Sequence, residues 1–208
     1  MITVARFLLM LCFVLLSISC KDNKTNASRG TVQVSADSSL HSFDVRRSHG
    51  GSSFDVFTGG LGSLRQLTLI LAGGGTSDTV REEINGVVAN AVAGDLNGDA
   101  FPEIYVFCQS AGSGSYASVY AYQKDADGIH AFTLPELDKR LSAGYMGHDT
   151  LWVRDSVLVR SFPVYTESDL NASATGGTRN IEYVLRRDEN GKLGLRVSHI
   201  TNQQSRSQ

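Results

Sequence analysis

Residues 95–122 read DLNGDAFPEIYVFCQSAGSGSYASVYAY and decide the fold. A carboxylate-rich turn leads into the continuously apolar stretch from Ile104 to Cys108, which is typical of a strand buried on both faces. A loop of small residues follows. From Tyr116 to Tyr122 tyrosine and serine alternate with alanine and valine, so the two sets lie on opposite faces of a second strand. This stretch therefore predicts two consecutive strands joined by a short loop.

Most of the remaining chain also has the pattern of strands. Apolar residues alternate with polar ones in several short segments, and glycine-containing turns separate these segments. Asn85-Gly86 indicates a tight hairpin before Val87. Pro135, with Leu137 and Leu141 four residues apart, predicts one short helix. The predicted fold is therefore all-β: an antiparallel β-sandwich or flattened barrel with one short helix.

The N-terminus predicts secretion. Arg6 precedes a short apolar run from residue 7 to residue 16, and small residues follow, which is the pattern of a signal peptide. We assign residues 1–19 to this signal, residues 20–36 to a polar flexible tether, and residues 37–202 to a single all-β domain. Cys20 after small residues resembles a bacterial lipobox, so Cys20 is the predicted lipid attachment site. Ordinary cleavage without lipid is the alternative.

Composition narrows the range of partners. The formal net charge is −2, and no basic patch with interleaved aromatic residues is present, so we expect no nucleic-acid partner. After removal of the signal and lipidation of Cys20, Cys108 is the one free cysteine left, so no intramolecular disulfide can form. Its apolar neighbours favour a small buried residue over a nucleophile.

The turn before the apolar strand carries regularly spaced oxygen ligands. Asp95, Asn97 and Asp99 alternate, and Glu103 follows four residues later. Calcium loops use such spacing because a hard cation takes many oxygen ligands. Alternatively, these side chains bond their own backbone in a tight turn, and Ala100 at the usual glycine position favours this view. Calcium at Asp95, Asn97, Asp99 and Glu103 is thus a hypothesis, and no other cofactor is expected. A glycosidase carboxylate pair fits poorly in so tight a turn.

The loop after the apolar strand is a candidate binding element. Ser113-Gly114-Ser115-Tyr116 combines hydroxyl groups and one rigid aromatic ring with little bulk. Loops on a rigid sheet frequently carry binding residues, and tyrosine offers contact area at low entropic cost. The alternative is a connection without a role.

These motifs occur together with three later ones, and the combination resembles a known family. The later motifs are GYMGHD at residues 144–149, RSFPVY at residues 160–165 and TGGTR at residues 175–179. In this order, after the residue 93–122 segment, they resemble the bacterial periplasmic inhibitors of invertebrate-type (i-type) lysozyme. The resemblance covers roughly residues 43–197.

The resemblance implies a function. The protein would be a lysozyme inhibitor and not an enzyme, with Ser113, Gly114, Ser115 and Tyr116 plugging the active-site cleft of an invertebrate-type lysozyme. Further contacts would come from Tyr145, His148 and Arg179. Such an inhibitor would protect peptidoglycan from host defence in the periplasm or at the outer membrane, held through a lipid on Cys20. A homodimer is a further possibility. The alternative function is a calcium-dependent binding or adhesion module built on the Asp95-Asn97-Asp99 turn.

Overall fold

Twelve antiparallel strands form three four-stranded sheets in the computed structural model, which describes residues 41–170 and 173–204. The first sheet contains β1 (His41–His49), β2 (Ser52–Gly59), β3 (Leu64–Gly73) and β4 (Thr76–Asn85) in that order. The middle sheet contains β5 (Val87–Gly94), β6 (Glu103–Gln109), β7 (Ala117–Asp125) and β8 (Gly128–Phe132). The third sheet contains β9 (Thr150–Arg154), β10 (Val157–Pro163), β11 (Thr178–Arg187) and β12 (Leu193–Gln203).

The middle sheet is covered on both faces. One apolar cluster joins it to the first sheet and includes Ile104, Val106 and Cys108 of β6. A second cluster joins it to the third sheet and includes Tyr105 and Phe107 of the same strand. Because successive side chains of a strand point to opposite faces, β6 contributes to both cores. The prediction of a strand buried on both faces is confirmed, and the open sheets are consistent with the predicted sandwich.

The short helix predicted after Pro135 is wrong for the described residues, which contain no helix. Residues 138–141 form a single turn instead, in which the amide of Leu141 donates to the Asp138 carboxylate (2.8 Å) and the amide of Ser142 donates to the Asp138 carbonyl (2.8 Å). Leu137 and Leu141 nevertheless pack against the core. Gly144 then takes a left-handed φ of 72°, so the turn is not continued into a helix.

The hairpin predicted at Asn85-Gly86 is also wrong. β4 pairs with β3, whereas β5 pairs with β6, so the chain passes from the first sheet to the middle sheet at this point. Gly86 has φ 104°, and a Cβ there would lie 2.2 Å from the carbonyl oxygen of Gln109. The glycine therefore permits a close approach to the end of β6, the strand that pairs with β5, instead of forming a two-residue turn.

Cys20, the signal segment and the tether lie outside the described residues. No helix within residues 41–170 and 173–204 could span a membrane. Cys108 is fully buried and unpaired, and burial raises the pKa of its thiol to about 12, which makes it unreactive as the sequence suggested.

Candidate binding site at the 110–116 loop

The loop that joins β6 to β7, residues 110–116, is short and closed at its base; we call it the SGSY loop. Gln109 and Ala117 are paired, and the amide of Ser110 donates to the carbonyl of Tyr116 (2.9 Å). The Ser110 hydroxyl accepts from the amide of Tyr116 (3.0 Å). The loop thus begins and ends at a fixed point on the central strand pair.

The tip of the SGSY loop is accessible to solvent. Ser113 is exposed, and Tyr116 keeps 49% of its surface exposed. Ser115 takes a left-handed φ of 41°, and its amide donates to the carbonyl of Gly112 (3.2 Å). A left-handed conformation is unfavourable for a residue with a Cβ and occurs where the surrounding structure determines it. The tip therefore has one defined shape instead of many.

A neighbouring segment, residues 144–149, supports the SGSY loop from one side. The amide of His148 donates to the carbonyl of Gly114 (2.7 Å). Gly147 lies so close that a Cβ there would be 1.9 Å from the same carbonyl oxygen. His148 is itself left-handed (φ 58°), with its side chain exposed. The two segments are in backbone contact, which leaves little room for independent movement.

Aromatic rings connect Tyr116 to the core. Its ring meets that of Tyr145 edge to face, with centroids 5.6 Å apart and planes at 73°. Tyr145 in turn contacts Phe162, a fully buried residue of β10, at 4.7 Å and 66°. Edge-to-face pairs of this kind are favourable. Tyr145 thus contacts one side of the Tyr116 ring, and the rest of the ring is exposed to solvent.

Beneath the rings lies a buried polar network centred on Asp149. Its carboxylate accepts from Arg160 Nε (2.6 Å), from the Tyr145 hydroxyl (2.6 Å) and from the amide of Ala117 (3.0 Å). The side chain of Asp149 is fully buried and that of Arg160 is 7% exposed. Asp149 thus ties the first residue of β7, at the base of the SGSY loop, to β10.

The protonation states of this network follow from its surroundings. Burial alone would lower the pKa of Arg160, but the hydrogen bond and charge of Asp149 raise it overall, so the guanidinium stays charged. Burial, together with the hydrogen bond to Asp149, raises the pKa of the Tyr145 phenol. Tyr145 therefore keeps its proton and donates it to Asp149, while Arg160 Nη2 donates to the Tyr145 oxygen (2.6 Å).

The later motifs converge on the same end of the molecule. The amide of Tyr165 donates to the carbonyl of Gly144 (2.8 Å), and Tyr145 forms a bridge with Val164. The amide of Gly176 donates to the carbonyl of Val164 (2.9 Å). Segments 144–149, 160–165 and 175–179 are therefore neighbours, although up to 35 positions separate their residues in the numbering.

The predicted contact residues differ in their exposure and in the hydrogen bonds that their side chains already form. Tyr145 is partly buried beside the SGSY loop, and His148 is exposed there. Arg179 instead donates to the carbonyls of Leu141 (2.6 Å) and Ala143 (3.1 Å) and to the side chain of Asn202 (2.9 Å). Arg179 is thus engaged in holding the 138–143 turn. Asp149 and Arg160 were not among the predicted site residues. Arg160 carried a signal, because it is a lone charge within an apolar strand.

The acidic turn, residues 95–103, occupies the opposite end of β6. The Asp95 carboxylate accepts from the amides of Gly98 (2.8 Å) and Ala100 (3.1 Å), and the Asp99 carboxylate accepts from the amide of Phe101 (2.9 Å). The self-bonded turn that the sequence offered as an alternative to calcium is therefore present. Ala100 adopts a left-handed φ of 67°, the conformation for which glycine is usual.

Together these features define an all-β protein with an exposed loop on a firmly packed base. The family model described as periplasmic lysozyme inhibitor of I-type lysozyme matches residues 37–139. The resemblance seen in the sequence is confirmed: this segment of the chain is similar to that family. No curated protein and no solved structure gives a significant match.

The matched segment has a defined place in the fold. It includes the first and middle sheets, the acidic turn and the whole SGSY loop. The match ends before Tyr145, His148 and Arg179, so the evidence for a role of these residues comes from their geometry and not from the family match. The match begins before His41, so it takes in all four strands of the first sheet.

Proposed function

We propose that this protein inhibits an invertebrate-type lysozyme by inserting the SGSY loop into the active-site cleft. The match to this family supports inhibition of I-type lysozyme in general. The exposure of Ser113 and Tyr116 on a rigid base supports insertion of this particular loop, and it is the observation that carries the proposal. By this mechanism the protein protects bacterial peptidoglycan by blocking the enzyme, without chemistry of its own.

The chemistry of the loop suits a glycosidase cleft. Such a cleft holds two carboxyl groups around the scissile bond. The Ser113 hydroxyl can donate to one of them, and a hydrogen bond to a charged group contributes about 1.5–3 kcal/mol. Gly112 and Gly114 on either side have no side chains, so the backbone can approach the enzyme closely.

Tyr116 would act as the anchor. Its contact with Tyr145 holds the ring in place before binding, so little side-chain entropy is lost in the complex. The exposed part of the ring would fill a sugar-binding subsite of the cleft. A rigid aromatic of this kind supplies large contact area with few rotatable bonds.

The 144–149 segment would supply a second contact. Met146 is 38% exposed and His148 is exposed, and the backbone of His148 is bonded to the SGSY loop. Both side chains would flank the cleft when the loop enters it. Because Arg179 is engaged with backbone carbonyls, we assign it to support of the site and not to direct contact.

The cellular setting follows from the family and the N-terminus. Members are periplasmic inhibitors, which suggests the periplasm for this chain. Attachment to a membrane through a lipid on Cys20 and formation of a homodimer remain predictions.

Titration of an invertebrate-type lysozyme with the protein tests the proposal. We expect Ser113→Ala and Tyr116→Ala each to raise the inhibition constant about tenfold or more, equivalent to about 1.4 kcal/mol. Ser48→Ala and Ile129→Ala are the matched controls, because these exposed residues lie next to the β1–β2 and β7–β8 turns, away from the SGSY loop. We expect both to leave inhibition unchanged. A folded double variant that still inhibits fully would contradict loop insertion. Failure of the unaltered protein to inhibit any I-type lysozyme would contradict the function itself.

A further inference from the structure

The acidic turn contains a concentration of negative charge that the proposed inhibition does not use. Asp95, Asp99 and Glu103 each offer one carboxylate oxygen, and these three oxygens all lie within 4.8 Å of one another. Within the described ranges, no lysine, arginine or histidine forms an ion pair with any of the three. Like charges at this separation repel one another strongly in a partly buried site.

Glu103 provides a second, independent observation. Its side chain is fully buried at the first residue of β6. One carboxylate oxygen, Oε2, accepts from the amide of Leu96 (2.9 Å) and from the Tyr105 hydroxyl (3.3 Å). The other, Oε1, is buried and has no hydrogen-bond partner among the described residues. A buried acceptor without a partner is costly, and a bound cation is one of the ways in which proteins satisfy it.

We propose that the acidic turn binds a calcium ion through the carboxylates of Asp95, Asp99 and Glu103. Oxygen ligands lie about 2.3–2.6 Å from calcium, so two ligands of one ion can be separated by up to about 5 Å. The spacing of the three oxygens is compatible with a single shared ion. The bound ion would supply the partner that Oε1 of Glu103 lacks.

The order of ligands along the chain agrees with this assignment. Counting from Asp95, the acidic residues stand at positions one, five and nine, and Asn97 stands at position three. Calcium loops take side-chain ligands at such positions and a main-chain carbonyl at position seven. Position seven is Phe101, whose carbonyl accepts from Gln123 Nε2 (2.7 Å), so this carbonyl is directed into the same polar region as Asp99.

Calcium fits this ligand set better than magnesium does. Magnesium requires octahedral geometry at about 2.0–2.1 Å and retains several waters, whereas calcium accepts six to eight oxygens in flexible geometry. A turn that offers three carboxylates, an amide and a main-chain carbonyl matches the preference of calcium. The ion would join the acidic turn to the central strand. Its role would be structural, because the seven residues of β6 place it about 20 Å from the SGSY loop.

Thermal unfolding of the full chain tests the site. The protein is first treated with EDTA, and its melting temperature is then measured with added calcium or magnesium. We expect millimolar calcium to raise the melting temperature by several degrees in a saturable manner, and magnesium to raise it much less. No response to calcium would overturn the proposal, and an equal response to magnesium would overturn the assignment to calcium.

The Glu103→Gln variant shows whether Glu103 is a calcium ligand or only a structural residue. This variant retains the size of the side chain and removes one of three neighbouring negative charges. We expect its melting temperature in EDTA to be equal to or higher than that of the unaltered protein, and its calcium response to be lost. Asp99→Asn, a second variant, should weaken calcium binding at least tenfold. Asp127→Asn, an exposed carboxylate in the β7–β8 turn, is the matched control and should respond to calcium normally. A normal calcium response in folded Glu103→Gln would contradict the site.

Discussion

The two loops at the ends of β6 differ in where their polar side chains are directed: into the protein in one loop and toward solvent in the other. In the acidic turn the carboxylates of Asp95 and Asp99 are directed inward and accept hydrogen bonds from the amides of their own turn. In the SGSY loop the hydroxyl of Ser113 and the ring of Tyr116 are directed outward, and the backbone is held by a neighbouring segment. The inward-directed groups stabilise the first turn, whereas the exposed groups of the second are the ones that our proposal assigns to contact with a partner.

The source of rigidity also differs between the two ends. The acidic turn is held mostly by hydrogen bonds within a single stretch of nine residues, with additional ones from Gln123 of β7. The SGSY loop is rigid because of Asp149, Tyr145 and Arg160, which lie at least 29 positions further along the chain than Tyr116. Damage to the distant network should therefore affect the SGSY loop and leave the acidic turn intact.

The largest effect is expected for Asp149→Ala. This change leaves the charge of Arg160 buried without its partner and removes the acceptor for Ala117 and Tyr145. Breaking a buried ion pair typically costs about 3–5 kcal/mol, so we expect a loss of this size in the free energy of unfolding, measured in urea. Inhibition should weaken as well, because the base of the SGSY loop loses its support.

The exposed Asp127→Ala serves as the control for Asp149→Ala and should change stability by less than about 0.5 kcal/mol. If Asp149→Ala proves as stable as this control, the buried network does not hold the loop. The contrast between the two ends of β6 would then lose its physical basis.

A smaller effect is expected for Gly114→Ala at the tip of the SGSY loop. A Cβ at this position would lie 2.4 Å from Cε2 of Tyr116, so the ring must shift from its present contact with Tyr145. Because the tip is solvent-accessible, we expect stability to fall by less than about 1 kcal/mol. The inhibition constant should nevertheless rise about tenfold, since the anchor is displaced.

Gly194→Ala is the matched control for this change. The nearest atoms to an added Cβ there are 3.9 Å away, and the residue lies in β12 near the opposite end of the third sheet. Equal inhibition by Gly114→Ala and Gly194→Ala would show that the resting position of the Tyr116 ring is unimportant for binding.

The sequence predicted what depends on local pattern. The continuous apolar run from Ile104 to Cys108 indicated a strand buried on both faces, and the alternation after Tyr116 indicated which side chains of β7 face each core. The position of the SGSY loop between two strands followed directly from these patterns. Each of these features is determined by residues close together in the chain.

The predictions that failed needed information from distant residues. Pro135 and two leucines have the spacing of a helix, but Asp138 closes a single turn before Gly144. Asn85-Gly86 has the composition of a hairpin, but strand β5 finds its partner in β6, beyond the acidic turn. The network around Asp149 was equally hidden, because it forms between segments that meet only in the folded protein.

The smallest effect concerns backbone strain in the acidic turn. Ala100 has a left-handed φ of 67°, which costs an L-residue roughly 1–2 kcal/mol, whereas glycine adopts it freely. Glycine also increases the entropy of the unfolded chain, which offsets about 0.5–1 kcal/mol of this gain. We therefore expect Ala100→Gly to raise the free energy of unfolding by about 0.5–1 kcal/mol in urea, with inhibition unchanged. Ala131→Gly, an exposed position of β8 paired regularly with Tyr122, should lower it by a similar amount. A loss of stability in both variants would show that the acidic turn is not strained at Ala100, and a change in inhibition by Ala100→Gly would show that the two ends of β6 are coupled.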